Sequence, residues 1–429
     1  MSLKSKLAAA AIAALLTAAS TLPARAACGA AVDPACLARE ALEAMREVEH
    51  PMMRVTTVIN AAQYLPADEA APLLTQARAD AGAIPDAGPR SLALTEVAAT
   101  MGDKGMAEGP AMVRALASGI FENGPDDEML IQTMGRDFAA AEQIRRLVRL
   151  QAMFGDIEGA EITIGYQAHE ADKVDSMFLA SEMMAERGNP AADAMLRRAM
   201  KRLAGIADPA RADTVKLSAV RVLAKAGWID EALALAETTS EINPRVEAVG
   251  AVAVLLAEAG DIARAREQYE RIAGLSANDT ALWALAVAVA RDGGMGEARA
   301  MMRYMKYPVM RDQAIGDLAA IQAGQGDLNG ALDIIADLPE GFQRNRALRL
   351  VLLALVEAGG LELAEDYANG LADPGLRNSV IAPIAAARAR GGKTGEALAT
   401  ARAQPTPDAR ARTLLAIAAA LAEPEKTGG

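Results

Sequence analysis

The residues that could carry chemistry in this chain of 429 are few. It has two histidines, His50 and His169, and neither lies in a metal-ligand spacing such as His-Glu-x-x-His. His50 precedes Pro51 at a helix boundary and His169 follows a polar turn, so both read as surface or capping residues. The stretch "GGKTGEA" from Gly391 looks like a phosphate-binding loop. That motif, however, needs glycine five residues before its second one, and Ala387 stands there inside a helical pattern. Lys393 therefore reads as an exposed turn lysine. Met183 with Met184, and Met301, Met302 and Met305, offer thioethers to a soft metal such as Cu(I). Their helical spacing and the shortage of aromatics favour adaptable core filler instead. No catalytic residue, cofactor or metal ligand is expected, and the chain reads as a non-enzyme.

The two cysteines, Cys28 and Cys36, take their meaning from the compartment. Lys4 and Lys6 precede an apolar run from Leu7 to about Ala18, and "ARA" at Ala24 to Ala26 follows. This is the layout of a secretory signal, residues 1–26, cut after Ala26, and the run is too short for a membrane span. An exported, soluble, periplasmic protein is expected, with Cys28 bonded to Cys36 in preference to two free thiols. Lipidation at Cys28 is disfavoured, because Arg25 stands where a lipoprotein signal wants an aliphatic residue.

The net charge is −12, and removing Lys4, Lys6 and Arg25 makes it −12 − 3 = −15. An acidic chain without a basic cluster repels phosphate backbones, so no nucleic-acid partner is expected and anionic membranes are disfavoured. With 52% hydrophobic but only 3% aromatic residues, the core must come from Ala, Leu, Val, Ile and Met, which suits thin helix–helix contacts.

The elements that would position any site announce themselves as a repeat. Gly227, Gly260, Gly293, Gly326, Gly359 and Gly392 are 33 residues apart, and five residues after each comes Ala232, Ala265, Ala298, Ala331, Ala364 or Ala397. A fixed period of this length marks a helical solenoid. Glycine ends the first helix of each hairpin, Asp261 and Asp327 can cap the second, and the small alanine lets the two helices approach. Apolar pairs such as Leu282 with Leu285 and Ile381 with Ile384 supply one greasy stripe per first helix. Pro308, Pro374 and Pro407 punctuate the loops between units.

Gly260, Asp261 and Ala265, with the large–small pairs Leu285–Ala286, Leu318–Ala319 and Ile384–Ala385, resemble the tetratricopeptide repeat (TPR). The period of 33 rather than 34, and aliphatic residues where that family has aromatics, make the units TPR-like. The resemblance implies an all-α, right-handed superhelical α-solenoid of antiparallel hairpins, with roughly ten to twelve of them at this length. It covers residues 140–425, including a C-terminal capping helix, "DARARTLLAIAAALAE", before Pro424. Residues 27–139 read as degenerate helical hairpins and 426–429 as a frayed tail. About six extra residues fall near "KRLAGIADPARAD".

Two polar or aromatic features stand out. Arg245, Arg311, Arg344, Arg377 and Arg410 share the 33-residue grid, interrupted only by Asn278. They read either as stacking residues that bond carbonyls of the preceding helix, the favoured reading, or as a cationic stripe for an acidic segment. The resemblance also implies a concave groove lined by first helices, with Gly250, Trp283, Gly316, Arg349 and Ala382 facing inward. Trp283 either anchors an apolar partner helix there or simply packs between helices. The expected function is a scaffold or adaptor that binds protein or peptide segments, its oligomeric state unspecified. The alternatives are an accessory module of an envelope or polysaccharide-processing enzyme complex, and a purely architectural part.

Overall fold

A computed structural model describes residues 28, 32–46, 48–125, 131–133, 135–273, 279–371 and 373–423. The signal sequence, Asn278, Pro424 and the tail lie outside these. The described residues contain 22 α-helices of seven residues or more and no strand. In chain order these are α1 34–44, α2 51–62, α3 67–82, α4 87–103, α5 108–123, α6 136–153, α7 157–165 and α8 170–186. They continue as α9 192–203, α10 209–225, α11 229–237, α12 242–258, α13 262–273, α14 279–291 and α15 295–301. The last seven are α16 308–324, α17 328–336, α18 342–357, α19 361–369, α20 374–390, α21 394–402 and α22 407–422. None is long and apolar enough to cross a membrane.

The hairpin turn follows from one backbone requirement. The glycines at 155, 188, 227, 260, 293, 326, 359 and 392 all have φ between +66° and +92°, and among the described residues no non-glycine has positive φ. At each, the residue after the glycine donates its N–H back five positions, as Asp261 does to Leu256 O at 2.9 Å and Gly360 to Leu355 O at 2.9 Å. This Schellman closure satisfies carbonyls that the helix end leaves open. Asp327 Oδ1 then accepts from Gly330 N at 2.8 Å, and Asp261 Oδ1 from Arg264 N at 3.2 Å, starting the second helix. Ala232, Ala265, Ala298, Ala331, Ala364 and Ala397 are all fully buried where the two helices meet. The extra residues around 201–213 are spent on a longer second helix, α9, and the loop after it.

The even-numbered helices from α2 to α22 are the first helices of their hairpins, and the odd-numbered ones from α3 are the second. Successive first helices pack on one another from α6 to α22 and again from α2 to α4. Each second helix packs on its own first helix and on the next. Between α4 and α6 the pattern inverts: the first helices part, and the second helices α5 and α7 touch.

The ends of the array do not run apart. Among the described residues no second helix follows α22 and no first helix precedes α1. In the structure α1 lies against α22, and both α1 and α22 pack against α2. Leu37 and Ala41 of α1, with Met45 just after it, share a core with Ala385, Leu398, Leu414 and Ile417. The first helical segment thus supplies the missing second helix of the last hairpin, so that 22 helices make eleven hairpins in a closed ring. The C-terminal helix α22, expected as a cap, is itself covered by α1.

The seam uses the contacts of the internal steps. Second helices reach their neighbours through ion pairs such as Arg264–Asp230 at 3.1 Å and Arg266–Glu297 at 2.8 Å. Across the seam Arg402 holds Glu40 through two hydrogen bonds, at 2.8 and 2.9 Å, and one step on Arg39 holds Glu69 at 2.8 Å. The hydrogen bond from Arg402 keeps the Glu40 carboxyl below the ordinary glutamate range, with Arg410 adding to the pull. A lowered carboxylate pKa stabilises above the ordinary value, and this contribution disappears as pH falls through the lowered one. Half-exposed, the pair contributes about 1 kcal/mol or less.

Cys28 and Cys36 form a disulfide with Cα atoms 5.9 Å apart, and Cys28 is buried in the same seam core. Closing so short a loop contributes about 2–3 kcal/mol on the chain-entropy model, all of it to the terminal piece that clasps the ring.

Candidate functional site

The surface that this architecture presents to a partner is the wall made by the first helices. In two concentric layers of equal helix number, the layer whose members touch side by side is the inner one. Eleven helices at axis separations of about 8–10 Å would enclose, after subtracting a helix diameter, an opening on the order of 20 Å, with the side-by-side contact passing to α5 and α7 where the first helices α4 and α6 part.

Two hollows lie on the inner wall. One, of about 500 Å³, is lined by Val246, Glu247, Gly250, Val254, Thr280 and Met310 among others. The next, of about 610 Å³, is lined by Val287, Arg291, Asp317, Ala320, Gly324 and Glu357 among others. Between them stands Trp283, half-buried, its ring packed against the core. Its indole N–H donates to Asp317 Oδ2 at 3.0 Å on the next first helix, and Arg346 Nη2 on the helix after that lies 3.7 Å from Asp317 Oδ1. Three successive helices, α14, α16 and α18, are therefore tied by one chain of polar contacts. Burial pushes the Asp317 carboxyl above the ordinary range, against the pull of Arg346 and the indole.

The inward register expected from the repeat is displaced by one step around the helix. Gly316 and Ala382 are buried between first helices, and a Cβ at Gly316 would come 3.1 Å from Ala347 Cβ. Glycine there allows the close approach of α16 to α18. Gly250 does line a hollow, and Arg349 is half-buried on α18, bonded to none of the described residues. Trp283 is pinned in place, with the hollows on either side of it.

The arginine ladder divides. Arg245 donates to Thr239 O at 2.8 Å, and Arg344 to Ala336 O, in each case at the end of the preceding second helix. Cations there meet orphan carbonyls and the negative end of the dipole, which is why arginine is held at the next helix start. Arg54 and Arg90, off the 33-residue grid, do the same for Val48 O and Ile84 O. Arg311 is exposed, with Asp312 4.0 Å away on its own helix, and Arg377 bonds none of the described residues. Arg410 acts electrostatically on Glu40 at the seam.

A second ladder escaped the sequence reading. Asp213 on α10 accepts the backbone N–H of Ser240 at 2.8 Å, just ahead of α12. Asp279 on α14 accepts from Lys306 N at 3.2 Å and Tyr307 N at 2.7 Å, just ahead of α16. Asn345, on the same grid, donates to Asp373, the N-cap of α20, at 3.1 Å. Each clips the start of the next first helix from one hairpin away. The signal was there at 33-residue spacing, broken by Val246 and by the exchange of Asp for Asn.

These two carboxylates predict opposite responses. Burial would raise the Asp213 carboxyl, but hydrogen bonds from Ser240 and Lys216 outweigh it and hold the group below the ordinary range. It stabilises above the ordinary aspartate pKa and stops doing so as pH falls through its lowered value. Asp213→Asn is expected to cost about 1–3 kcal/mol at pH 7. Asp317, with a raised pKa, is an expense when charged, and its protonation as pH falls favours the fold. Asp317→Asn is expected to leave melting at pH 7 unchanged or higher. Urea melts of both variants between pH 4 and 7 check this, and equal losses would contradict it.

The remaining expected residues have plain settings. His50 and His169 are exposed N-cap residues, Lys393 is an N-cap 3.7 Å from Glu362, and Met183, Met184, Met302 and Met305 are buried. Among the described residues no three His, Cys, Asp or Glu side chains cluster as metal ligands do.

With this geometry in view, no family model matches the chain, and no curated protein matches it. Among solved structures it is similar to Ton1535 from Thermococcus onnurineus NA1, at 17% identity over 82% of this chain and 99% of that one, with a TM-score of 0.26. It is also similar to a circular tandem repeat protein described as having a novel repeat topology and enhanced subunit contact surfaces. That match has 15% identity over 86% of this chain and 82% of that one, with a TM-score of 0.17. At such scores neither likeness carries an argument, and the ring rests on the contacts described above.

Proposed function

We propose that this chain is a non-enzymatic scaffold, exported to the periplasm, that binds protein or peptide segments on the inner wall of its ring. Its hairpins are TPR-like units on a 33-residue period, stacked in the right-handed sense of that family with so little pitch that the ends meet. What carries the reading is the inner wall itself: two neighbouring hollows of about 500 and 610 Å³ with apolar linings, the first edged by Glu247 and Asp279 and the second by charges of both signs, Arg291, Asp317 and Glu357. Apolar hollows capture side chains, and a mixed charged edge fixes register without committing to one sign of partner. The Cys28–Cys36 bond supports the export reading, since such bonds persist in oxidising compartments.

A photoreactive residue at Val287, on the wall, should trap one stoichiometric protein in intact cells, and the same residue at Leu363, exposed on second helix α19, should not. Equal capture at both positions, or capture only at 363, would refute the inner-wall reading.

A further inference from the structure

The strongest unassigned surface is a basic, aromatic segment in an otherwise acidic chain. From Arg299 to Arg311 the sequence reads "RAMMRYMKYPVMR", four cations and no acid, in a protein of net charge −12. Tyr304 is 76% exposed, Tyr307 61% and Val309 58%. Phe342, one hairpin on at the register of Val309, is 79% exposed, at the start of the helix that packs on α16. Three of the five exposed large aromatics among the described residues therefore sit together on one rim. Arg299, Arg303 and Lys306 are exposed, and their side chains make no ion pair with the described residues. The neighbouring segment 274–278 contains no acid that could pair with them.

Exposed aromatic rings cost solubility, and folding gives nothing back for them here. The backbone of this segment is already secured by Asp279, so its outward side chains are not needed to hold the fold. Aromatic and arginine side chains are the types that dominate binding energy at interfaces, and cations select partners of opposite sign. We propose that this rim segment, with Phe342, is a docking site for an acidic protein segment bearing an aromatic or bulky apolar anchor. The shape of the rim favours a segment over a bilayer. The other interhairpin corners on that rim carry exposed Asp208, Glu241, Asp337, Glu340 and Asp373. A flat anionic membrane would have to face these acids as well, whereas a segment covers only the basic stretch. The site adjoins the inner wall, since Tyr307 and Met310 also line the 500 Å³ hollow, while Arg303, Tyr304 and Lys306 line neither inner-wall hollow.

The test uses the mature full-length chain and a displayed library of random twelve-residue peptides. Two surface double variants, Arg303→Glu with Lys306→Glu and Tyr304→Ser with Tyr307→Ser, are first shown to melt like the parent. Enriched peptides should be rich in Asp and Glu with at least one large apolar residue. Fluorescence anisotropy of the best peptide should show affinity falling at least about tenfold in each variant, and falling with added salt. Vesicles of phosphatidylglycerol and phosphatidylcholine should not sediment the protein. No enrichment, enrichment without acidic bias, binding unaffected by the variants, or vesicle binding lost in those variants would each overturn the proposal.

Discussion

Leu37→Asp is expected to open the ring. Leu37 is fully buried in the seam, on the one helix that completes the last hairpin from the opposite end of the sequence. Truncating a buried leucine costs about 2–5 kcal/mol, and a charge in its place adds the penalty of an unpaired buried carboxylate. Unlike a core lesion elsewhere, this one has a neighbour it can release: with α1 undocked, α20, α21 and α22 expose an apolar face while the other hairpins keep their stacking. Small-angle scattering should show a larger maximum dimension, and gel filtration should show association through the exposed face. Unchanged scattering together with unchanged melting would mean that α1 does not close anything.

Phe178→Ala is expected to be nearly as costly and to show how far strain travels. Phe178 on α8 is fully buried and is the largest of the fully buried side chains, so its removal should cost about 3–5 kcal/mol. Its core runs from α6 to the middle of α16, and a separate core takes over around α17 to α20. In a repeat array stability is a sum of unit and nearest-neighbour contributions. Amide exchange should therefore quicken in residues 136–225 while the protection of 342–402 stays as it was. A uniform rise around the whole ring would show that closure couples all hairpins into one cooperative unit.

The hairpins were legible because a single backbone demand, positive φ at the turn, admits one residue type and so leaves a trace. Gly260 and the buried Ala265 are forced by geometry, and their spacing shows in the sequence. Closure leaves no such trace. It is the sum of small rotations at each step, set by pairs such as Gly316 against Ala347, and by the inversion between α4 and α6. A hint did exist: a lone first helix, "DARARTLLAIAAALAE", late in the sequence, and a disulfide between Cys28 and Cys36 early in it. The Arg245 ladder was visible but its acidic counterpart was not, since Asp213, Asp279 and Asn345 do one job with two residue types.

The closed ring is tested most directly by a zero-length crosslink across the seam. In an Arg402→Lys variant the new amine should lie against the Glu40 carboxylate, since Arg402 and Glu40 are paired at 2.8 Å although 362 residues apart in sequence. Carbodiimide treatment of the dilute protein should yield a monomer whose digest contains the residue 40 to residue 402 linkage. A linkage found only in dimers, or none under conditions that crosslink other pairs, would contradict the ring.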